Sequence, residues 1–353
     1  MNAVVRRMLG SQESGLVIVV TVLTIALASL AGSHIDRQTG QAVNNFWNPY
    51  TLMQTGTDAS FFAIMAIGAT VVIVSGGIDL SVGSIYAMAG VGMALLLRGL
   101  GPLPGFPTVL VGLATSVGIG VLCGLLNGVL VVGLGVHPFI VTLGTMWVLR
   151  GIAFVASRAE SVLVPGVLTD VVKAPLGLGS GLYPVPVLCM VVVAAAGTLY
   201  LTRTVMGRHV FAFGDNLEAS RFAGLPLGHI QVGVFVVSGL LGGFAAFLGA
   251  GFFGSASSAD AQGYELYVIA SAVVGGARLV GGKGSALGAT LGAVLIVLIR
   301  QSIRTLHFDQ NYEWIVIGSA IILAVAVDQW STRLAAERLS RRAAAPRDTT
   351  SNA

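Results

Sequence analysis

The sequence predicts an all-α polytopic membrane protein of about ten transmembrane helices, with a short polar helix between spans six and seven. Three observations carry this expectation. Only 10% of the 353 residues are charged and 55% are apolar, against roughly 25% charged in an ordinary soluble domain; so few charges cannot screen that much apolar surface from water. The apolar residues fall in runs of the roughly 20 that a helix needs to cross a ~30 Å hydrocarbon layer. Between two such runs lies "GRHVFAFGDNLEASRFAGLP" (207–226), which holds Arg208, His209, Asp215, Glu218 and Arg221.

The chain opens with a segment (1–14) expected in the cytoplasm. The first span, 15–32, is too long for a signal peptide and lacks a clear small-residue cleavage site, so it is read as retained. Further spans are expected at 58–75, 81–98, 108–132, 138–157, 184–202, 229–254, 264–280, 286–301 and 312–330, giving a transmembrane domain of 15–330 and a basic, disordered cytoplasmic tail of 331–353. The pair 264–280 and 286–301, joined by "GGARLVGGKGS", has an alternative as a re-entrant hairpin, which would leave eight spans with the same parity. Lys and Arg set the orientation, because they are retained on the cytoplasmic side. With the N-terminus inside, inner segments hold twelve of the nineteen and outer segments six. Arg150, near the outer end of span five, is the other. Both termini and 207–226 are therefore expected in the cytoplasm, and the loop Arg158–Gly181 outside.

Ser116, Gly120, Gly124 and Gly128 recur every fourth residue of span four, and Gly239/Gly243 and Gly288/Gly292 repeat the spacing. Lipid gives helices no hydrophobic reason to associate, so small residues that allow close backbone approach are expected to supply the packing. The glycine-rich turns "SGGIDLSVGS" and "VGGARLVGGKGS" follow corresponding spans and hint at an internal duplication. Asp79 is read as a helix cap near the inner interface, and His137, before Pro138, as a residue at a helix start. Asn127 and Thr142 lie within spans and Gln54 just before one; such groups hydrogen-bond a neighbouring helix or line a polar path. Cys123 and Cys189 sit in apolar runs and suggest neither a disulfide nor a metal site. No metal spacing, catalytic triad or paired carboxylate within a span stands out.

Within 207–226, "DNLEASRFAG" reads as a helix capped by Asp215 or Asn216 and stopped by Gly224 before Pro226. Glu218 and Arg221 can pair on its surface, while Leu217 and Phe222 are apolar and suited to a partner's groove.

Four segments, in order, resemble the permease subunits of ribose-type ABC importers, of the branched-chain amino acid/ribose transport permease family. They are "VSGGIDLSVGSIYAMAG" (74–90), "NGVLVVGLGVHPFIVTLGTMWVLRG" (127–151), "GRHVFAFGDNLEASRFAGL" and "ELYVIASAVVGGARLVGGKGSALGATLGA" (265–293). The resemblance covers about Asp58 to Ile303. It implies that 207–226 is a cytoplasmic coupling segment, with Gly214, Asp215, Asn216, Glu218, Ala219, Arg221 and Gly224 docking on a separate ATP-binding subunit. It also implies that Gly76, Gly77, Asp79 and Ser81 form a signature turn. A monosaccharide, a pentose or deoxyhexose, would arrive from a periplasmic or lipoprotein sugar-binding protein. A second permease copy or paralogue would complete the path in the bacterial inner membrane, with lipid around it and no nucleic acid or cofactor involved. Asn127 and Thr142 would be candidates for the substrate path. The alternative from another class is an ion-coupled secondary transporter, which would place ionisable residues at mid-membrane; the charges here, Asp79, Glu265, Glu313 and Asp328 among them, fall near predicted span ends.

The sequence contains no G-x-x-x-x-G-K-[ST] phosphate loop; "GGKGS" at 281–285 lacks its glycine spacing and the preceding strand. The purified chain alone is therefore expected to hydrolyse no ATP. Robust turnover by a contaminant-free preparation would contradict this.

Overall fold

The computed structural model describes residues 12–35, 40–179 and 181–319, together with residues 322 and 326. Among these, eight helices are long and apolar enough to cross a bilayer: α1 Gln12–Leu30, α2 Pro49–Val74, α3 Val82–Leu100, α4 Gly105–Leu134, α5 Pro138–Ser157, α7 Val185–Arg203, α10 Leu227–Phe253 and α12 Ala286–Thr305. The shorter helices are α6 Gly166–Val172, α8 Val205–Asp215, α9 Leu217–Phe222 and α11 Tyr264–Val274. Two antiparallel ribbons complete the set: β1 Ser33–Ile35 with β2 Ala42–Asn44, and β3 Val162–Leu163 with β4 Ser255–Ala256.

The predicted ten spans need one correction. The segment expected to span at 264–280 is helical only over the 11 residues of α11, about 16 Å at 1.5 Å per residue and too short to cross alone. Glycine explains the stop: Gly275 caps α11, Gly276 has φ +97°, and the chain then turns through Gly281 and Gly282, both at positive φ. This stretch begins at β4, which pairs with β3, and ends at the glycine turn that lies against Gly214 and Asp215. Of the tenth expected span, residues 312–319 are helical; its remainder and the predicted cytoplasmic ends lie largely outside the described residues.

α2 is the axis of the bundle. Its best spanning window is 94% buried, whereas that of α1 is 11% buried, so α1 is a peripheral helix resting on α12 through Leu27, Phe46 and Leu298. α2 also starts nine residues earlier than the apolar run suggests. Asn48 caps it by accepting from the Thr51 amide at 2.8 Å, and Pro49 supplies a preset first-turn φ.

The small-residue stripe of α4 packs against α10. A side chain at Gly120 would strike the Gly239 carbonyl, one at Gly124 the Phe235 carbonyl, and one at Gly243 the Ser116 carbonyl. Ser116 Oγ also donates to the Gly243 carbonyl at 2.7 Å. Gly288 and Gly292 of α12 likewise face the Gly275 and Ser271 carbonyls of the α11 end. Close backbone approach, as the spacing predicts, replaces side-chain interlocking in these two pairs.

Gly124→Ala is expected to destabilise the protein in detergent by about 1–3 kcal/mol, the usual effect of overpacking. Gly118→Ala, in the same helix with nothing within 4 Å of the added methyl, is expected to be neutral or to gain up to about 1 kcal/mol. Thermal unfolding of the two variants checks this, and equal shifts would contradict the packing account.

Candidate functional site

The polar stretch after α7 folds as two helices in place of the single one expected. Thr204 caps α8, its Oγ1 accepting from the Gly207 amide at 2.9 Å, and Asn216 caps α9 by accepting from the Ala219 amide at 2.9 Å. α9 ends at Phe222; Gly224, at φ +74°, turns the chain toward Pro226 and α10. α9 buries only Ser220. Glu218 and Arg221 are both exposed, and no ion pair joins them among the described contacts. Leu217 is 50% exposed and Phe222 is 89% exposed, so the helix presents an apolar tip flanked by two unpaired charges.

The base of this segment is wedged into the bundle. A side chain at Gly214 would strike the Val74 carbonyl and the Gly282 amide, and the Gly282 amide itself donates to the Val74 carbonyl at 2.9 Å. Gly281 in turn lies against Gly214 and the Gly76 amide, and Gly282 against Asp215. Three glycine-rich pieces, Val74–Gly77, Gly214–Asp215 and Gly281–Gly282, thus meet backbone to backbone. Positive φ at Gly76, Gly281 and Gly282 is a conformation that other residues rarely adopt.

The 75–81 turn continues into a buried polar hub. Asp79 Oδ1 accepts from the Ser81 amide at 2.9 Å and from Ser81 Oγ at 2.6 Å, and Asp79 Oδ2 accepts from Ser238 Oγ of α10 at 2.8 Å. Asn127 of α4 donates through Nδ2 to Ser81 Oγ at 2.7 Å, and Thr142 Oγ1 of α5 donates to the Ile78 carbonyl at 3.0 Å. Ser81 stands at the N-cap position of α3 but makes no side-chain cap bond; its own amide is met by Asp79. Asp79 closes the turn and ties it to α10 because it is 1% exposed, where a carboxylate must be hydrogen-bonded. Asn127 and Thr142, which sequence alone left between packing and path, are both fully buried and bonded to this turn. His137 caps α5 by accepting from the Phe139 amide at 3.3 Å.

A second break lies between β4 and α11. Arg150, the thirteenth of the 20 residues of α5, donates through Nη1 to the carbonyls of Ser258 and Asp260 at 2.8 and 2.6 Å, and through Nη2 to that of Ala261 at 3.3 Å. Ser157 and Ser258 hydroxyls lie 3.2 Å apart, and Asp260 Oδ2 accepts from the Ser257 amide at 2.8 Å. Arg150 lies within α5 and is 8% exposed, while Asp79, in the turn between α2 and α3 as expected, is 1% exposed. Arg150 was the signal for this break. A lone arginine in an apolar helix needs acceptors close by, and a helix break supplies carbonyls.

Comparison with known proteins agrees with this architecture. Residues 51–325 match the family model described as branched-chain amino acid transport system / permease component. The chain is 35% identical over 286 residues to the D-allose transport system permease protein of Escherichia coli (strain K12), covering 80% of this chain and 85% of that one. It is 34% identical over 287 residues to the ribose import permease protein of the same organism, covering 81% and 86%. Over 296 residues it is 31% identical to the fructose import permease protein of Rhizobium meliloti, covering 82% and 81%. With eight apolar helices, a glycine junction under an exposed polar segment and matches along most of its length, the chain is a multi-pass protein of the bacterial inner membrane and belongs to the branched-chain amino acid transport system / permease component family.

Proposed function

We propose that this chain is the membrane-spanning permease subunit of an ATP-binding cassette importer, carrying a monosaccharide inward by alternating access while a separate subunit hydrolyses ATP. The named relatives handle fructose, allose and ribose. Sugar import is therefore the class they support, and it is wider than the pentose or deoxyhexose expected from the sequence.

The observation that carries the coupling role is the α8–α9 segment. A phenylalanine at 89% exposure beside Leu217 and two unpaired charges is unfavourable in water and suited to a groove, the mode by which short helices dock through a few apolar anchors. In this reading α9 faces the cytoplasm and seats in the ATP-binding subunit. A shift of that subunit pulls on Gly214, whose backbone contacts with both glycine-rich turns leave no slack, so the motion enters α2 and the α11–α12 pair together. Close-packed contacts of this kind shift between discrete arrangements and do not stretch. The opposite end, with β3, β4, α6 and the 158–183 loop, would receive the sugar-binding protein, and a second permease copy or paralogue would close the path.

Two outcomes test this. Glu218→Arg and Phe222→Ala are expected to leave membrane levels unchanged, because both side chains are exposed. Each should weaken co-purification of the ATP-binding subunit by about thirtyfold or more, the effect of losing a central anchor or opposing a charge at an interface. Arg98→Glu, at the other end of the bundle, should not. Wild-type co-purification and uptake in both α9 variants would reduce α9 to a connector. Gly214→Ala should give the converse pattern: the ATP-binding subunit stays bound and hydrolyses ATP, while sugar uptake falls by at least about tenfold. Normal uptake in Gly214→Ala would show that the junction tolerates slack.

A further inference from the structure

We propose that the cleft bounded by α2, α11 and α12 is a monosaccharide-receiving site, with the sugar ring laid on Tyr264 and its hydroxyls bonded by Asp58, Arg304 and Gln310. The proposal rests on the importer reading above and adds to it a place and a chemistry. The cleft encloses about 250 Å³, below the ~300–1,000 Å³ of sites for drug-sized ligands, which suits one small solute. Asp58 is in the first half of α2 and Arg304 in the last turn of α12, so the cleft opens at the end opposite α8–α9. Its floor is Tyr264, the first residue of α11, directly after the break that Arg150 holds. Irregular backbone within a membrane is tolerated only where protein buries it or a watery cavity adjoins it, and broken helices border solute sites in other transporters.

The wall chemistry selects the ligand. Tyr264 lines the cleft, and behind it Phe62, 2% exposed, stacks on Tyr264 with 4.5 Å between centroids, meets Tyr267 edge-on at 5.8 Å and lies under the Arg300 guanidinium at 5.4 Å, so Tyr264 is the ring that can take an apolar face. Two acids, Asp58 and Glu313, and two arginines, Arg300 and Arg304, line the same space. Their formal charges cancel, so the cleft favours neither an anion nor a cation, yet it supplies donors and acceptors in a chain that is otherwise poor in them. One pair is closed: Arg300 Nε lies 2.6 Å from Glu313 Oε1, which also accepts from Tyr267 Oη at 2.9 Å. The other is looser. Asp58 Oδ1 accepts from Gln54 Nε2 at 2.9 Å, while Arg304 Nη2 stands 3.5 Å from Asp58 Oδ2, longer than a good charged hydrogen bond, and the Arg304 side chain is 41% exposed. A neutral ring with one C–H face and a rim of hydroxyls satisfies both halves: the C–H face covers Tyr264, and adjacent hydroxyls bridge Asp58 and Arg304.

The test uses the whole importer, with its ATP-binding subunit and saturating sugar-binding protein, and measures uptake of radiolabelled ribose, allose and fructose. Gln310→Leu and Arg304→Gln alter exposed side chains, and Tyr264→Leu removes the floor. Each is expected to lower the uptake rate by about threefold to tenfold, the effect of one lost hydrogen bond or contact. Each should also change the ratio among the sugars, while ATP hydrolysis and subunit co-purification hold. Unchanged rates and ratios in Gln310→Leu and Arg304→Gln overturn the site, even where Tyr264→Leu fails to accumulate. Loss in equal proportion for every sugar also overturns it, because a purely structural role would do that. Failure of the wild-type importer to move any of the three sugars overturns instead the monosaccharide reading on which the site rests.

Discussion

Backbone amides and carbonyls inside a hydrocarbon layer find no water, so wherever a helix stops within the bundle the protein must supply the missing partners. This chain stops helices inside the bundle at two places and turns tightly at a third, and each is met by a specific group. Asp79 and Thr142 bond the 75–81 turn. Arg150 takes three carbonyls of the 258–261 segment. At the 275–285 turn the Arg278 amide donates to the Lys283 carbonyl at 3.0 Å, and the Gly282 amide reaches across to Val74. The rest of the architecture follows from these solutions: where α3 and α11 begin, which helices surround α2, and why charged groups occur in the core.

The same economy governs the helix pairs. α4 and α10 approach until backbone touches backbone, with Ser116, Gly120 and Gly124 on one side and Gly239 and Gly243 on the other. A contact made of backbone has no rotamers to rearrange, so the pair suits a fixed frame. The half-helix α11 meets α12 in the same way, with Gly288 and Gly292 against the Gly275 and Ser271 carbonyls, and the 258–261 segment before it is held by Arg150.

Much of this was legible in the sequence, because bilayer thickness and helix rise leave little freedom in where long apolar runs begin and end. α5 matches its expected bounds, and the four-residue spacing in α4 announced its packing face. What periodicity could not reveal was three-dimensional coincidence. Asn127, Thr142, Asp79 and Ser238 lie far apart in the chain, and nothing in their spacing says that they meet at one turn. The shortness of α11 was hidden because Val273, Val274 and Ala277 continue the apolar character through the glycines, so hydropathy ran on past the point where the helix ends. α8 was missed because its buried face is only Gly207, Val210 and Phe213, too few residues to stand out beside Arg208 and His209. The α9 cap and its glycine stop were readable because capping is a local interaction.

The junction at Gly214 separates two properties that most protein contacts combine. Its geometry is written in main-chain atoms of Val74, Gly214 and Gly282, whereas the tip that would choose a partner is written in the side chains of Leu217, Glu218, Arg221 and Phe222. In the coupling role proposed above, address and drive shaft are encoded independently: substitutions at the tip would retarget the subunit to a different motor without disturbing how force enters the bundle, and the lever would remain serviceable while its coupling partner diverges.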